Sequence, residues 1–339
     1  MLREFQVRNY GCLQEARLML TPLHALIGPN DSGKSTMLSA IRAACRAAGR
    51  QPFPDVRLKR SMPSLELQAW SAEGDVYTLS RAGQGHLQER WAPVQGEVTA
   101  QAFSLDNMAL PNVAPIARSR LLRLDPDDLR RPSIPIQRGN PTDFVTERGE
   151  GLSGIYDAIL STDAEKFVEI QKRVCRLFPA LQRFGVPQLG QHRVFEFEMV
   201  GGRRLAPEEV SEGLLYYLAF EALQYLDPVA VLCLEEPENG LHPQRIKEVL
   251  GILRHISEQG TQVLLATHSP LVLNELGPAE VTLLTRPSGG GTRATPLTDT
   301  NNFRRRAQVY ALGELWVSYC DGDLEAKLTE TTAPDEDDV

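Results

Sequence analysis

The sequence has few cysteines, no long apolar run and no excess of positive charge. Its five cysteines are scattered through 339 residues without a Cys-x-x-Cys pair. This pattern indicates buried thiols in a reducing compartment and excludes a disulfide framework or a zinc site. No apolar stretch approaches the roughly 18 residues of a membrane span, and the N-terminus lacks the apolar segment typical of a secretory signal. We therefore expect a cytoplasmic protein that does not associate with a membrane.

The formal net charge of −8 argues against a chain that coats DNA with a uniformly basic surface. Binding depends on where charges lie, however, and the arginines are dense between Arg118 and Arg138. That segment fits two interpretations: a solvated surface with internal Asp–Arg pairs, or a contact with nucleic acid. Acidic residues are concentrated in residues 329–339, where we expect a disordered tail.

The hydrophobic pattern contains no internal repeat and no sustained heptads, and it predicts alternating strands and helices. In the last third of the chain this alternation is typical of a parallel sheet covered on both faces, and therefore of an α/β protein. The predicted strands lie within 2–20 (two, around Gly11), 24–27, 63–91, 194–200, 229–234 and 262–266. The predicted helices lie near 37–49, 149–181, 213–226, 245–258 and 303–318, with a turn at 289–291.

Residues 28–35, Gly-Pro-Asn-Asp-Ser-Gly-Lys-Ser, match the phosphate-loop pattern GxxxxGK[ST]. Glycines let consecutive backbone N–H groups curl around a phosphate, the lysine reaches the β- and γ-phosphates, and the final hydroxyl binds Mg²⁺. A buried strand before the loop and a helix after it are the context that such a match needs. We expect ATP to be bound by Asn30, Asp31, Ser32, Gly33, Lys34, Ser35 and Thr36, with Ser35 also a ligand of Mg²⁺.

Two further strands end in polar residues that could serve phosphoryl transfer. Glu235 and Glu236 follow a buried strand, and the sequence predicts that Glu235 holds Mg²⁺ while Glu236 orients the attacking water. His268 follows the next buried strand and can sense the γ-phosphate. Alone, such acids are more often a solvated strand end and such a histidine is more often structural. The phosphate loop upstream favours the catalytic interpretation of all three residues.

Together these motifs resemble those of the ABC-type ATPases of the RecF/SMC/OLD group, many of them bacterial AAA family ATPases. The resemblance rests on EEPENGLHP (residues 235–243), on THSP (residues 267–270) and on an opening that runs from MLREFQVRNYGCL into LIGPNDSGKST, and it covers about residues 1–50 and 190–320. It implies a P-loop NTPase fold of the ABC-ATPase type, with a mixed sheet. The expected ATPase domain spans 1–328, with a helical lobe inserted at about 125–205.

The resemblance also implies a homodimer with ATP sandwiched between the two subunits. The family's signature serine matches Ser211, followed by Gly213, at the start of an apolar helix whose N-terminus suits a partner's γ-phosphate. Without the family, Ser211 would be interpreted as a helix cap. Residues 239–243 match the loop placed at the dimer interface. Glu235 departs from the aspartate common in ABC proteins, and Asp31 stands where many relatives have glycine.

Several alternative functions are disfavoured by what the chain lacks. A transporter motor would carry a Leu-Ser-Gly-Gly-Gln signature, a long-armed SMC protein would carry extended heptads, and an OLD nuclease would need more than the about 70 residues after His268 for its Toprim domain. Two hypotheses remain. One is an ATPase whose hydrolysis cycle opens and closes a homodimer, acting in DNA repair or phage defence on DNA or on a separate nuclease or effector. The other is a slow or inactive ATP-dependent clamp.

Overall fold

Alternating buried and exposed residues form an antiparallel sheet at the start of the chain. A computed structural model describes residues 1–49, 64–82, 88–92, 118–286 and 290–300. The first two strands meet at a turn in which Gly11 has a φ of 58°, a conformation that favours glycine. The sheet has the order β2-β1-β4-β5-β6, with strands β1 Leu2–Tyr10, β2 Leu13–Met19, β4 Ser64–Ser71, β5 Val76–Ala82 and β6 Gln88–Ala92. These strands confirm the predictions for residues 2–20 and 63–91.

A second sheet has at its centre three short strands that are buried along their whole length, as expected when both faces of a parallel sheet are covered. Its order is β16-β15-β3-β14-β13-β7. Strands β14 and β15 pair with β3 in parallel, whereas β16 is antiparallel to β15, so the sheet is mixed, as predicted. Its strands are β3 Leu23–Ile27, β7 Ser119–Leu122, β13 Val231–Glu235, β14 Gln262–Thr267, β15 Val281–Thr285 and β16 Arg293–Pro296.

The helix after the first buried strand has the predicted apolar face. Helix α1, Lys34–Ala48, buries Met37, Leu38, Ile41 and Cys45 at helical spacing. It ends at Gly49, as expected. The strand–loop–helix sequence that a phosphate loop requires is therefore present.

The chain divides into two compact units. The first comprises Met1–Ser119, Ala230–Cys233 and Gln262–Val339, and the second comprises Arg120–Val229 and Leu234–Thr261. The second unit contains helices α2 Pro126–Leu129, α3 Leu152–Thr162, α4 Ala164–Leu177, α5 Glu212–Ala222 and α6 Pro243–Glu258. It also contains strands β8 Leu181–Gly185, β9 Gln188–Leu189, β10 His192–Arg193, β11 Glu196–Met199 and β12 Arg204–Leu205. Helix α7, Pro270–Asn274, lies in the first unit.

An aromatic cluster forms part of the core of the second unit. The ring of Tyr156 contacts three phenylalanines edge-on, with centroid distances of 5.4–6.2 Å, an arrangement that aromatic quadrupoles favour. Its hydroxyl donates to the carbonyl of Leu218 on α5, so the buried polar end is satisfied. The region of residues 125–205, expected to be an inserted helical lobe, holds both helices and short strands; its independence as a domain stays a prediction.

The structure corrects some element boundaries. The helical region predicted at 149–181 is two helices, because Asp163 lies between them and its carboxylate accepts a hydrogen bond from the N–H of Lys166, capping the second helix. Helix α5 ends at Ala222 and continues as a 3₁₀ turn, Leu223–Tyr225. The predicted helix at 303–318, the tail at 329–339 and part of the turn at 289–291 lie outside the described residues.

Candidate active site

The loop between β3 and α1 has backbone geometry that only glycine allows at two points. A Cβ at Gly28 would lie 2.2 Å from the carbonyl oxygen of Leu284, and one at Gly33 would lie 2.6 Å from Oγ1 of Thr292. Gly33 is also the N-cap of α1, with a φ of 102° and no side-chain cap. The first turn of a helix leaves its backbone N–H groups without intrahelical partners, and such an end favours an anion. The loop is therefore shaped as a phosphate cradle.

The polar side chains of the loop suit a bound polyphosphate. Lys34 is 8% exposed, and its ammonium donates to the carbonyls of Gly28 at 2.7 Å and Pro29 at 2.9 Å, so it is held inside the loop. The hydroxyl of Ser32 is buried without a hydrogen-bond partner, an arrangement that carries a cost unless a ligand supplies that partner. Ser35, by contrast, is exposed. These residues fit a nucleotide with an accompanying cation.

The remaining predicted loop residues differ in where they point. Asn30 and Asp31 are exposed, and Asp31 has a φ of 65°, a left-handed conformation that aspartate tolerates better than most residues. The side chain of Thr36 instead contacts the β1–β2 turn: its Oγ1 accepts a hydrogen bond from the thiol of Cys12. The left-handed backbone at position 31 is therefore one that aspartate can adopt.

Two supports of the loop come from residues that the sequence motifs did not reveal. The hydroxyl of Thr292, in the segment before β16, donates to the carbonyl of Ser32 at 2.8 Å. The carbonyl of Leu284 on β15 lies against Gly28. Both contacts join positions that are about 250 residues or more apart in the chain, so no local pattern could have indicated them.

His268 is the first residue after β14, the strand that pairs with β3 ahead of the phosphate loop. In the parallel pairing of β14 with β3, Thr267 is the partner of Ile27, so His268 and Gly28 follow paired residues. His268 is exposed, while the hydroxyl of Thr267 accepts a hydrogen bond from the N–H of Ser269 and shapes the turn into α7. The structure therefore brings this histidine to the same sheet edge as the loop.

The two predicted acids lie at the end of β13, where Glu235 is the last residue of the strand and Glu236 is the next residue, and they have different surroundings. Glu235 accepts a hydrogen bond from the guanidinium of Arg123 at 2.6 Å. Glu236 has a φ of 46° and accepts a hydrogen bond from the side-chain amide of Asn239 at 2.8 Å. A non-glycine residue in the left-handed region is uncommon and is often retained for function.

The candidate signature segment begins α5. Ser211 is exposed and occupies the N-cap position, yet its side chain makes no capping hydrogen bond, so the helix-cap interpretation is not supported. A Cβ on Gly213 would lie 3.0 Å from the carbonyl of Gly240, and one on Gly240 would lie 2.3 Å from the ring of Tyr216. The loop after Glu236 therefore packs closely against the first turn of α5.

The arginine-rich segment is largely neutralised by carboxylates. Four of its arginines form ion pairs, namely Arg120–Asp143 (2.7 Å), Arg123–Glu235 (2.6 Å), Arg130–Asp127 (2.7 Å) and Arg131–Asp128 (3.0 Å). Of the two interpretations open from sequence, this pattern favours internal Asp–Arg pairing over a nucleic-acid contact.

A phosphate loop at the junction of a buried strand and a helix, in a mixed sheet, defines a P-loop ATPase fold. The chain belongs to the family described as “AAA domain, putative AbiEii toxin, Type IV TA system”, whose model matches residues 96–274, more than half of its length. A second model, an AAA ATPase domain, matches residues 1–53. The protein is therefore a nucleotide-binding ATPase, as predicted.

Individual relatives agree with this assignment. The chain is 51% identical over 41 residues to an OLD nuclease of Thermus scotoductus (strain ATCC 700910 / SA-01), but these residues are 12% of this chain and span only 8% of that protein. Two solved structures share the fold at 12% identity and a TM-score of 0.56. One is an Smc head bound to the C-winged helix domain of ScpA, covering 87% of this chain and 97% of that one. The other is an Smc head with an extended coiled coil bound to the C-terminal domain of ScpA, derived from Pyrococcus furiosus, covering 91% and 99%. These likenesses confirm the predicted OLD- and SMC-like ATPase fold.

The described part of the chain lacks two kinds of feature. No helix there combines the length and apolar character that crossing a bilayer demands. Nor do three or more His, Cys, Asp or Glu side chains in those residues gather as a metal-binding group. Sites that bind Mg²⁺ through one or two carboxylates together with substrate phosphates need no such group.

Proposed function

We propose that this ATPase cleaves the γ-phosphate with Glu236 orienting the attacking water and His268 contacting the γ-phosphate. Lys34 and the loop N–H groups hold the phosphates, and Ser35 and Glu235 are the ligands of Mg²⁺. The cation, when bound, neutralises charge on the phosphate oxygens. The parallel pairing of β14 with β3, which brings His268 to the same sheet edge as the phosphate loop, supports the roles given to the residues of the first unit.

The observation that carries the proposal is the backbone of Glu236. A left-handed residue other than glycine costs about 1–2 kcal/mol, and here it directly follows a buried strand. The side-chain amide of Asn239 donates to one carboxylate oxygen of Glu236 at 2.8 Å. This hydrogen bond orients the carboxylate and leaves its second oxygen to accept a hydrogen bond from the attacking water. A strained backbone with an oriented carboxylate is the arrangement expected of a residue that positions a reactant.

Single-turnover hydrolysis of ATP tests this role. We expect Glu236→Gln to lower the rate by about 10²-fold or more while nucleotide still binds, given what positioned charge contributes in such sites. Glu248→Gln makes the same chemical change at an exposed position of α6 and is expected to keep the wild-type rate. A rate unchanged in Glu236→Gln would show that hydrolysis does not use this acid, whereas a very slow rate in the wild type itself would favour the ATP-dependent clamp.

We further propose that ATP joins two copies of the chain, with Ser211 and Gly213 of one copy facing the phosphate loop of the other. The exposed hydroxyl of Ser211, which does not cap its own helix, supports this role. Light scattering should show ATP-dependent dimers for Glu236→Gln and none for Lys34→Ala. Monomers under every condition would contradict the sandwich.

The cycle of dimer opening is proposed to act on a separate nuclease or effector protein or on DNA, in DNA repair or phage defence. Ion pairing in the arginine-rich segment favours a protein partner, and the similar Smc heads are themselves bound to domains of ScpA. Capture of partners from native extract with ATP present tests for a separate nuclease or effector protein. DNA affinity that falls steeply with salt, and is lost on charge reversal across residues 118–131, would support action on DNA.

A further inference from the structure

Arg123 contacts the acid that we assign to the metal. It follows β7 directly, and its guanidinium donates to Oε1 of Glu235 at 2.6 Å; both residues belong to the second unit. The side chain of Glu235 is 11% exposed and that of Arg123 is 53% exposed. A largely buried carboxylate is therefore paired with a cation whose other side faces solvent.

The backbone around Arg123 is fixed on both sides. The N–H of Arg123 donates to the carbonyl of Glu147 at 2.8 Å, and that of Asp125 donates to the carbonyl of Arg148 at 2.9 Å. The carbonyl between them, on Leu124, accepts a hydrogen bond from the hydroxyl of Tyr216. The guanidinium can therefore leave Glu235 by rotation of its own side chain, without movement of the chain.

We propose that Arg123 is a positioning residue that holds the Glu235 carboxylate until the nucleotide complex forms, and that Arg123 and Mg²⁺ compete for this carboxylate. The proposal rests on the assignment of Glu235 as a ligand of Mg²⁺. A guanidinium and a hard cation both bind through carboxylate oxygens. Because Arg123 is half exposed, it regains water on release, and a pair of this kind contributes only modestly. The pairing keeps a buried carboxylate satisfied at little cost to later metal binding.

The test is the Mg²⁺ dependence of nucleotide binding, measured with a fluorescent, non-hydrolysable ATP analogue. We expect Arg123→Gln to lower the half-saturating Mg²⁺ concentration by about 3- to 10-fold, the loss expected for a charged hydrogen bond at a partly exposed site. Arg131→Gln is the matched control, because Arg131 is 56% exposed and pairs with Asp128 instead. It removes the same charge and should leave the Mg²⁺ titration unchanged. Thermal unfolding of each variant verifies that it is folded.

A half-saturating concentration that is unchanged or raised in Arg123→Gln would overturn the competition. An equal shift in Arg131→Gln would also overturn it, because net charge and not the pair would then be the cause. Glu235→Gln tests separately the assignment of Glu235 as a ligand of Mg²⁺, on which this proposal rests. If Glu235→Gln leaves the Mg²⁺ titration unaltered, the metal role of Glu235 is wrong. If it weakens Mg²⁺ binding while Arg123→Gln does not strengthen it, only the proposal for Arg123 fails.

Discussion

Replacing Thr292 by valine should weaken nucleotide binding although Thr292 is far from the phosphate-loop motif in sequence. The threonine is 1% exposed, and its hydroxyl donates to the carbonyl of Ser32 at 2.8 Å. The hydroxyl oxygen of Thr292 would lie 2.6 Å from a Cβ on Gly33, so the threonine side chain supports the loop directly. Valine keeps the shape of threonine and removes only the donor.

The expected size of the effect follows from that one hydrogen bond. Leaving a buried carbonyl without its donor costs about 1–2 kcal/mol. If this energy is lost from the loop geometry that binds phosphate, it corresponds to about 5- to 30-fold weaker nucleotide binding. Thr300 is the control for the removal of a buried hydroxyl, since it is also 1% exposed and its hydroxyl donates to the carbonyl of Leu297 at 2.7 Å, outside the loop.

Urea denaturation without nucleotide should show a loss of stability for Thr292→Val and an equal or smaller loss for Thr300→Val, because the carbonyl of Leu297 keeps the backbone N–H of Thr300 as a donor. Titration with a fluorescent ATP analogue should show weaker binding for Thr292→Val alone, with the rate at saturating ATP near that of the wild type. Wild-type affinity in Thr292→Val, or an equal loss of affinity in both variants, would refute the idea that Thr292 supports the loop.

Three further perturbations test other parts of the molecule. Burial lowers the pKa of His24 to about 4, so the folded protein keeps this histidine neutral while the unfolded chain protonates it near pH 6.5. The free energy of unfolding should therefore fall by about 3 kcal/mol as the pH drops from 6.5 to 4. Urea denaturation should show a smaller fall in His24→Gln. Asn239→Ala removes the hydrogen bond to Glu236 and should reduce single-turnover hydrolysis by about 10-fold without changing nucleotide affinity. Arg173→Ala leaves Glu221, which is 2% exposed, without its guanidinium partner. Urea denaturation should show a loss of about 2–3 kcal/mol, most of it regained when Glu221 is also replaced by leucine. No recovery in the double variant would contradict an unpaired buried carboxylate as the cause.

Local patterns predicted the parts of the fold that local chemistry determines. The run before Gly28 is apolar apart from His24, and β3 is accordingly buried along its length. The spacing of Met37, Ile41 and Cys45 predicted the face that α1 buries. The break between α3 and α4 was missed, although Asp163 is a residue type that caps helices and could have signalled it.

Contacts between distant residues could not be predicted from one sequence. Thr292 and Ser32 meet because β15 and β3 pair in parallel, and only the sheet order brings them together. Arg123 was visible as one arginine of a dense segment, but its contact with Glu235 depends on where β7 ends. The left-handed backbone of Glu236 also has no signal in the sequence, since glutamate does not favour it.

The arginine-rich segment shows why composition alone was a weak guide to the partner. Six arginines between Arg118 and Arg138 could have formed a phosphate-binding surface, yet four are paired with carboxylates of helix α2, of Asp143 or of Glu235. An arginine that must first leave a carboxylate gains less from a DNA phosphate, and affinity for DNA should fall accordingly. By the same reasoning Arg123 is suited to an exchange of one cation for another at Glu235. The positive charge of this segment is therefore better explained by the ATPase site and its own unit than by nucleic acid.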